Sequence, residues 1–152
     1  MSHQPPRQVN GVVSGQRERW CREACRFFGV GANMKLAVNL LVLRCKDIEV
    51  TRRFYEELGL AFVDEKHGTG PKHYAWENGG FVLELYPAAE GQAPDNVRIG
   101  FSTPLLAELA GNLRHSSDIN VLKPPQATGD RLVMLLQDPD GRKVEVSQPL
   151  HR

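Results

Sequence analysis

The stretches GGFVLEL, residues 79–85, and DGRKVEV, residues 140–146, end the two halves of this sequence in the same way. In both, a glycine is followed four residues later by a glutamate with apolar neighbours on either side, Glu84 in the first stretch and Glu145 in the second. Side chains alternate between the two faces of a β-strand, so each glutamate would lie on the face opposite its apolar neighbours. The shared pattern predicts two copies of one structural unit.

The first copy is predicted to contain a strand, a helix and three further strands. The apolar run 36–43 predicts a buried strand, and Asp47 follows it as a residue type that caps helix N-termini. Apolar residues then recur on one helix face until Gly59, which predicts the end of the helix. Glycine-containing breaks separate the remaining predicted strands, which span residues 60–66, 73–77 and 81–86.

The second copy repeats this order of elements. A strand at 97–102 precedes a helix predicted to open at Thr103 and Pro104, because proline suits the first helical turn. Three strands follow, with the turn DPDG at 138–141 before the last of them. Their predicted ranges are 120–123, 131–137 and 143–147.

The domain organisation follows from composition. Residues 34–152 form the predicted domain, and residues 1–33 form an N-terminal extension with a loose proline- and glycine-containing tail and a short amphipathic helix at 16–28. The net charge is +1, and residues 34–152 carry 14 basic and 16 acidic side chains. Without a basic stripe, nucleic acid is not an expected partner, and no apolar run approaches the roughly 20 residues of a membrane span.

The three cysteines, Cys21, Cys25 and Cys45, lack the even, spaced pattern of a disulfide framework. No signal segment precedes them, so we expect a reducing, cytoplasmic location. A metal site formed by the three thiols is an alternative, although their spacing is unlike that of a zinc knuckle.

Four segments carry a family resemblance. LVLRCKD at 41–47 leads into RFYEELGL at 53–60, and LEL at 83–85 and DPDGRKVE at 138–145 follow. Over residues 36–149 the chain resembles the vicinal oxygen chelate superfamily, which contains glyoxalase I, extradiol dioxygenases and the bleomycin and fosfomycin resistance proteins. The resemblance implies an α+β fold in which two tandem βαβββ modules form a curved mixed sheet around a cavity. It also implies a homodimer and a small-molecule ligand.

The resemblance places Glu84 and Glu145 where metal-dependent members have carboxylate ligands, and it therefore implies that both are metal-binding or catalytic residues. The alternative is that both lie on a solvated sheet face. Members of the family have histidine ligands at two further positions, which here hold Leu40, or Asn39 after a one-residue slip, and Arg98. The ordinary four-ligand site is therefore not expected, and a divalent metal ion is an open possibility.

Other side chains are candidate site residues. Arg98 is expected to bind a carboxylate or phosphate of the ligand, or alternatively to pair with Glu84 or Glu145. A two-residue turn at Gly79 and Gly80 would place His73 on the face of Glu84, opposite Glu84 itself or Tyr86. There His73 would act as a replacement ligand or in proton transfer, and Tyr86 would contact the substrate. The alternatives are a three-residue turn, which would reverse the face, and an exposed strand histidine without a role in the site.

Loop residue His67 is expected to contact the substrate from a lid, or to be solvated.

Three functions remain open from the sequence. The first is a glyoxalase- or bleomycin-resistance-like protein that binds a small oxygen-rich molecule in the cavity between its modules. The alternative is a divalent-metal-dependent lyase, isomerase or dioxygenase that uses Glu84 and Glu145. A protein-interaction module using the helix at 16–28 is a third hypothesis. The sequence does not decide whether the protein is an enzyme.

Overall fold

The computed structural model describes residues 36–150. Nearly all of these belong to one compact unit, Val38–Arg152. The predicted tail and the predicted helix at 16–28, together with Cys21 and Cys25, lie outside the described residues. Among residues 36–150, no helix is long and apolar enough to cross a membrane.

The first module has the predicted order of elements. Strand β1 (Leu40–Cys45) leads into helix α1 (Ile48–Glu57), and three strands follow: β2 (Val63–Glu65), β3 (His73–Asn78) and β4 (Phe81–Pro87). The strands form a sheet in the order β1-β4-β3-β2. Only the β1–β4 pair is parallel, so the sheet is mixed.

The second module repeats this arrangement. Strand β5 (Arg98–Ser102), helix α2 (Leu106–Leu113), β6 (Asn120–Thr128), β7 (Arg131–Gln137) and β8 (Lys143–Pro149) follow one another along the chain. Their sheet has the order β5-β8-β7-β6, with β5 and β8 parallel. The predicted tandem βαβββ architecture is confirmed, and the two four-stranded sheets remain separate rather than closing into a barrel.

Helix α1 begins where the sequence predicts, whereas α2 begins at Leu106 rather than at Thr103 and Pro104. The Asp47 carboxylate accepts hydrogen bonds from the backbone amides of Glu49 and Val50 at 2.9 and 3.1 Å. These amides have no partner within the helix, so the cap stabilises the first turn. At the other end, Gly59 has a φ of +94°, a left-handed conformation that glycine adopts without steric cost.

Two strands differ most from their predicted ranges. β1 begins at Leu40 rather than at residue 36, and β6 continues to Thr128 rather than ending at residue 123. Strand β6 contains Pro124 and Pro125, which predict a break, because proline cannot donate to a sheet ladder. It tolerates them as the edge strand of its sheet, with shifts in register between Val121 and Gln126.

The two modules share one hydrophobic core. One face of each sheet supplies it, with fully buried Leu43, Leu83 and Leu85 from the first sheet and Val144 and Met134 from the second. Aromatic side chains join the two modules: the Phe101 ring lies 6.2 Å from that of Tyr55 and 6.3 Å from that of Trp76 between centroids. By strand alternation, Glu84 and Glu145 lie on the faces that turn away from this core.

A buried polar network also joins the modules. Arg142, whose side chain is fully buried, pairs with Asp138 at 2.7 Å and with Asp140 at 3.0 Å. Its guanidinium also donates to the backbone carbonyl of Arg44 in the first module. Asp138 accepts a further hydrogen bond from the Tyr55 hydroxyl of α1 at 3.2 Å. The DPDG turn therefore anchors the second module to β1 and α1 of the first.

Candidate functional site

A cavity of about 620 Å³ lies between the two modules. Helix α2, β5 and the β3–β4 hairpin form its walls, and much of its lining is apolar and aromatic: Trp76, Phe81, Phe101, Leu105 and Leu109. Polar groups are few and include Asn78, Ser102, Glu108 and Asn112. This size and mixture of side chains are typical of small-molecule sites.

A second cleft, of about 980 Å³, lies between α1 and the DPDG turn. Its lining includes the charged side chains of Arg53, Glu56, Glu57 and Asp118. Because a small organic ligand loses most of its water on binding, the apolar cavity between the modules is the better candidate site.

None of the six site residues predicted from the sequence lines this cavity. Glu84 pairs in register with Val42 and Ala75, and it therefore lies on the face of the first sheet that turns away from the core. The cavity contacts the opposite face, through Trp76 and Leu83. The predicted catalytic and binding roles of the six residues stay predictions.

Glu145 and Arg98 form an ion pair on the open face of the second sheet. Their closest side-chain atoms are 2.5 Å apart, and the Arg131 guanidinium lies 3.7 Å from the other oxygen of Glu145. The two guanidinium groups beside this carboxylate are positively charged and would repel a metal ion. Neither can coordinate one, because a guanidinium has no acceptor atom. This donor set does not fit a divalent cation at Glu145.

Replacement of Arg98 by methionine tests whether the pair is structural. Because the Arg98 side chain is 58% exposed, we expect the free energy of unfolding to fall by less than about 1 kcal/mol. Chemical denaturation of both proteins would measure the difference. A loss of several kcal/mol would instead assign Arg98 to the framework of the fold and argue against a role in ligand binding.

His73 packs against Tyr86 on the open face of the first sheet. Asn78 pairs with Phe81 across a two-residue turn, and this is the turn length that places His73 on the side of Glu84. The sequence left Glu84 and Tyr86 open as the residue opposite His73. In the structure it is Tyr86, whose ring stacks on that of His73 at 4.1 Å between centroids with an interplanar angle of 12°. Burial and the nearby carboxylates of Glu84 and Glu65 raise the pKa of Tyr86, while Arg44 opposes them.

Two further side chains cluster with His73. Glu65, at the end of β2, pairs in register with His73, and His67 follows in the β2–β3 loop. One carboxylate oxygen of Glu65 lies 3.3 Å from Nε2 of His67 and 3.8 Å from Nε2 of His73. Glu65 is not among the site residues predicted from the sequence. One sequence pattern could have indicated the cluster. Glu65 and His67 form a Glu-x-His triplet at the start of a hairpin, and the second strand of that hairpin begins with His73.

The paired βαβββ modules define a glyoxalase-like fold, and the comparisons with known proteins agree. A family profile described as the Glyoxalase/Bleomycin resistance protein/Dioxygenase superfamily matches residues 37–146. The chain belongs to this superfamily.

Two relatives show how similar this chain is to known proteins. Virulence protein STM3117 of Salmonella typhimurium (strain LT2) is 30% identical over 121 residues, which cover 73% of this chain and 83% of that protein. Its crystal structure has a TM-score of 0.60 and covers 76% of this chain and 99% of its own. TnmS3, described as an antibiotic binding protein from Streptomyces sp. CB03234, has a TM-score of 0.64 at 20% identity, covering 77% of this chain and 98% of its own.

Proposed function

We propose that this protein binds a small, oxygen-bearing organic molecule in the cavity between its two modules, without the four-ligand metal centre of metal-dependent relatives. The cavity itself carries the proposal, since its volume of about 620 Å³ is within the range of small-molecule sites, roughly 300–1,000 Å³. The description of TnmS3 as an antibiotic binding protein supports a binding role on this fold.

The lining indicates the chemistry of the ligand. Trp76, Phe81 and Phe101 offer aromatic surface to a ring or another flat apolar group. Asn78 and Asn112 each carry an amide that both donates and accepts hydrogen bonds, and Ser102 adds a hydroxyl. A flat molecule with hydroxyl or carbonyl groups at its edges matches this arrangement.

The alternative, a metal-dependent lyase, isomerase or dioxygenase that uses Glu84 and Glu145, has less support. Glu145 is held by Arg98 and Arg131, and the strand partners of Glu84, Val42 and Ala75, offer no coordinating group. A binding protein needs neither carboxylate as a ligand.

A ligand screen and one substitution at the cavity test the proposal. Thermal-shift measurements against flat oxygenated compounds should find ligands that stabilise the protein and are recovered unchanged. In Leu105→Arg we expect affinity for such a compound to fall about 10-fold, because the apolar contact of Leu105 with the ligand is replaced by a charge that loses water at the cavity. Isothermal titration calorimetry would measure the change.

Leu122→Arg is the matched control. Leu105 and Leu122 are 58% and 40% exposed, so neither arginine should disturb the core. Only Leu105 lines the cavity. Equal loss of affinity in both variants would contradict binding at this site, and conversion of the compound by the wild-type protein would favour an enzyme.

We also propose that the protein forms a homodimer. The open face of the first sheet carries exposed apolar side chains on both edge strands, Leu40 of β1, 50% exposed and beside Val42 and Val82, and Val63 of β2, 62% exposed. Coverage of this face by a second copy would remove apolar surface from water, which is the usual driving force for association. Sedimentation equilibrium would measure the molecular mass in solution.

A further inference from the structure

We propose that Glu65, His67 and His73 bind a divalent transition-metal ion of the zinc class. The site lies at the β2–β3 hairpin of the first module, apart from the cavity between the modules and from Glu145. One carboxylate and two imidazoles form its donor set, which suits zinc and neighbouring transition metals better than magnesium or calcium, whose ligands are oxygen atoms.

The spacing of the donor atoms fits such an ion. Zinc–nitrogen and zinc–oxygen bonds are about 2.0–2.2 Å long, so two ligands at a tetrahedral angle lie about 3.3–3.5 Å apart. The oxygen of Glu65 lies 3.3 Å from Nε2 of His67 and 3.8 Å from Nε2 of His73. All three ligand atoms lie within 4.8 Å of one another, so small side-chain rotations would complete the geometry.

The ring of His73 is already oriented as a ligand. Its Nδ1 lies 3.3 Å from the backbone carbonyl oxygen of Pro71. A carbonyl oxygen can only accept a hydrogen bond, so Nδ1 carries the proton in this contact and Nε2 of the neutral ring keeps its lone pair. Metal-binding histidines characteristically donate their other ring nitrogen in this way.

The free nitrogen of His73 is the second indication of a ligand. His73 is 1% exposed, and its Nε2 has no hydrogen-bond partner among the residues that the structure describes. Leaving a buried polar atom unpaired carries a free-energy cost, and stacking of His73 on Tyr86 fixes the ring in this position. A metal ion at Nε2 would remove that cost.

The hairpin loop brings His67 to the same place. Gly68 has a φ of +58°, and the amide of Gly70 donates to the His67 carbonyl at 3.0 Å, so the chain turns back immediately after His67. The His67 ring lies 5.2 Å from the ring of His73 between centroids. His67 is 74% exposed, which leaves an approach to the site from solvent.

Zinc titration of the untagged, chelator-stripped full chain tests the site. We expect one high-affinity ion per chain by isothermal titration calorimetry and an increase in Tm with added zinc. In His67→Ala the affinity should fall at least about 100-fold, because loss of even an outer hydrogen-bond partner of a ligand lowers affinity about 10–100-fold. Glu65→Gln should also weaken binding, since an amide oxygen is a poorer ligand for zinc.

His115→Ala is the matched control, because His115 is exposed and lies outside the cluster. It should bind zinc like the wild-type protein. Unchanged affinity in His67→Ala, or no zinc-dependent stabilisation of the wild-type protein, would overturn the proposal. Because His67 is exposed, its variant should fold normally and the comparison remains interpretable. Failure of the cavity to bind an organic ligand would not affect this result.

Discussion

Replacement of Arg142 by methionine is expected to lower the free energy of unfolding by about 3–5 kcal/mol, because it leaves buried carboxylates without their partner. The side chains of Asp138 and Asp140 are 0% and 2% exposed, and both are paired with Arg142. Burial opposes the charge on Arg142, but hydrogen bonding to Asp138 and the charges of Asp138 and Asp140 outweigh it and raise the pKa of Arg142. Methionine keeps much of the apolar stem and removes the charge.

Arg131→Met provides the control for this prediction. Arg131 is 49% exposed and lies 3.7 Å from Glu145, so its loss should cost less than about 1 kcal/mol. Urea denaturation, followed by circular dichroism, would give both values. Similar small losses in the two variants would contradict the prediction that the buried network stabilises the fold.

The same network marks a limit of sequence-based inference. The DPDG segment predicts a turn, and the turn is present. Nothing in the segment indicates that Asp138 accepts a hydrogen bond from Tyr55, 83 residues earlier in the chain. The contact depends on how the two modules pack against each other, and strand or helix periodicity carries no information on that packing.

The candidate site, too, could be predicted only in part from the sequence. Strand alternation correctly placed Glu84 and Glu145 on the faces opposite their apolar neighbours. It did not indicate that the cavity between the modules would contact the core side of the sheets, through Trp76 and Phe101. The direction of a side chain follows from local geometry, whereas the surface that it meets follows from tertiary packing.

Thiol chemistry at Cys45 illustrates a property that the sequence could not supply. The sequence shows three cysteines and suggests a reducing environment. In the structure Cys45 is fully buried, and burial raises the pKa of its thiol to about 11, although Arg142 opposes the shift. Because the thiolate is the reactive form, Cys45 is a packing residue rather than a nucleophile.

Loss of a leucine side chain from β1 is expected to have a large effect on stability on one face of the strand and a small effect on the other. Leu43 is fully buried and pairs in register with Leu85, whereas Leu40, on the opposite face of the same strand, is 50% exposed. Leu43→Ala should lower the free energy of unfolding by about 2–5 kcal/mol through lost apolar burial and the cavity left behind. Leu40→Ala removes the same atoms from the open face and should cost less than about 1 kcal/mol in the monomer.

Denaturation measured over a range of protein concentrations would separate these effects. If the protein is a monomer, the loss of stability in each variant is independent of protein concentration. The large difference between the two variants then follows from the core packing alone. If the proposed homodimer forms over the open face, Leu40→Ala would weaken association, because Leu40 is then buried against the second copy. Its cost would increase with protein concentration while the cost of Leu43→Ala remained high throughout. A large, concentration-independent cost at Leu40 would contradict the assignment of this strand face to the surface of the module.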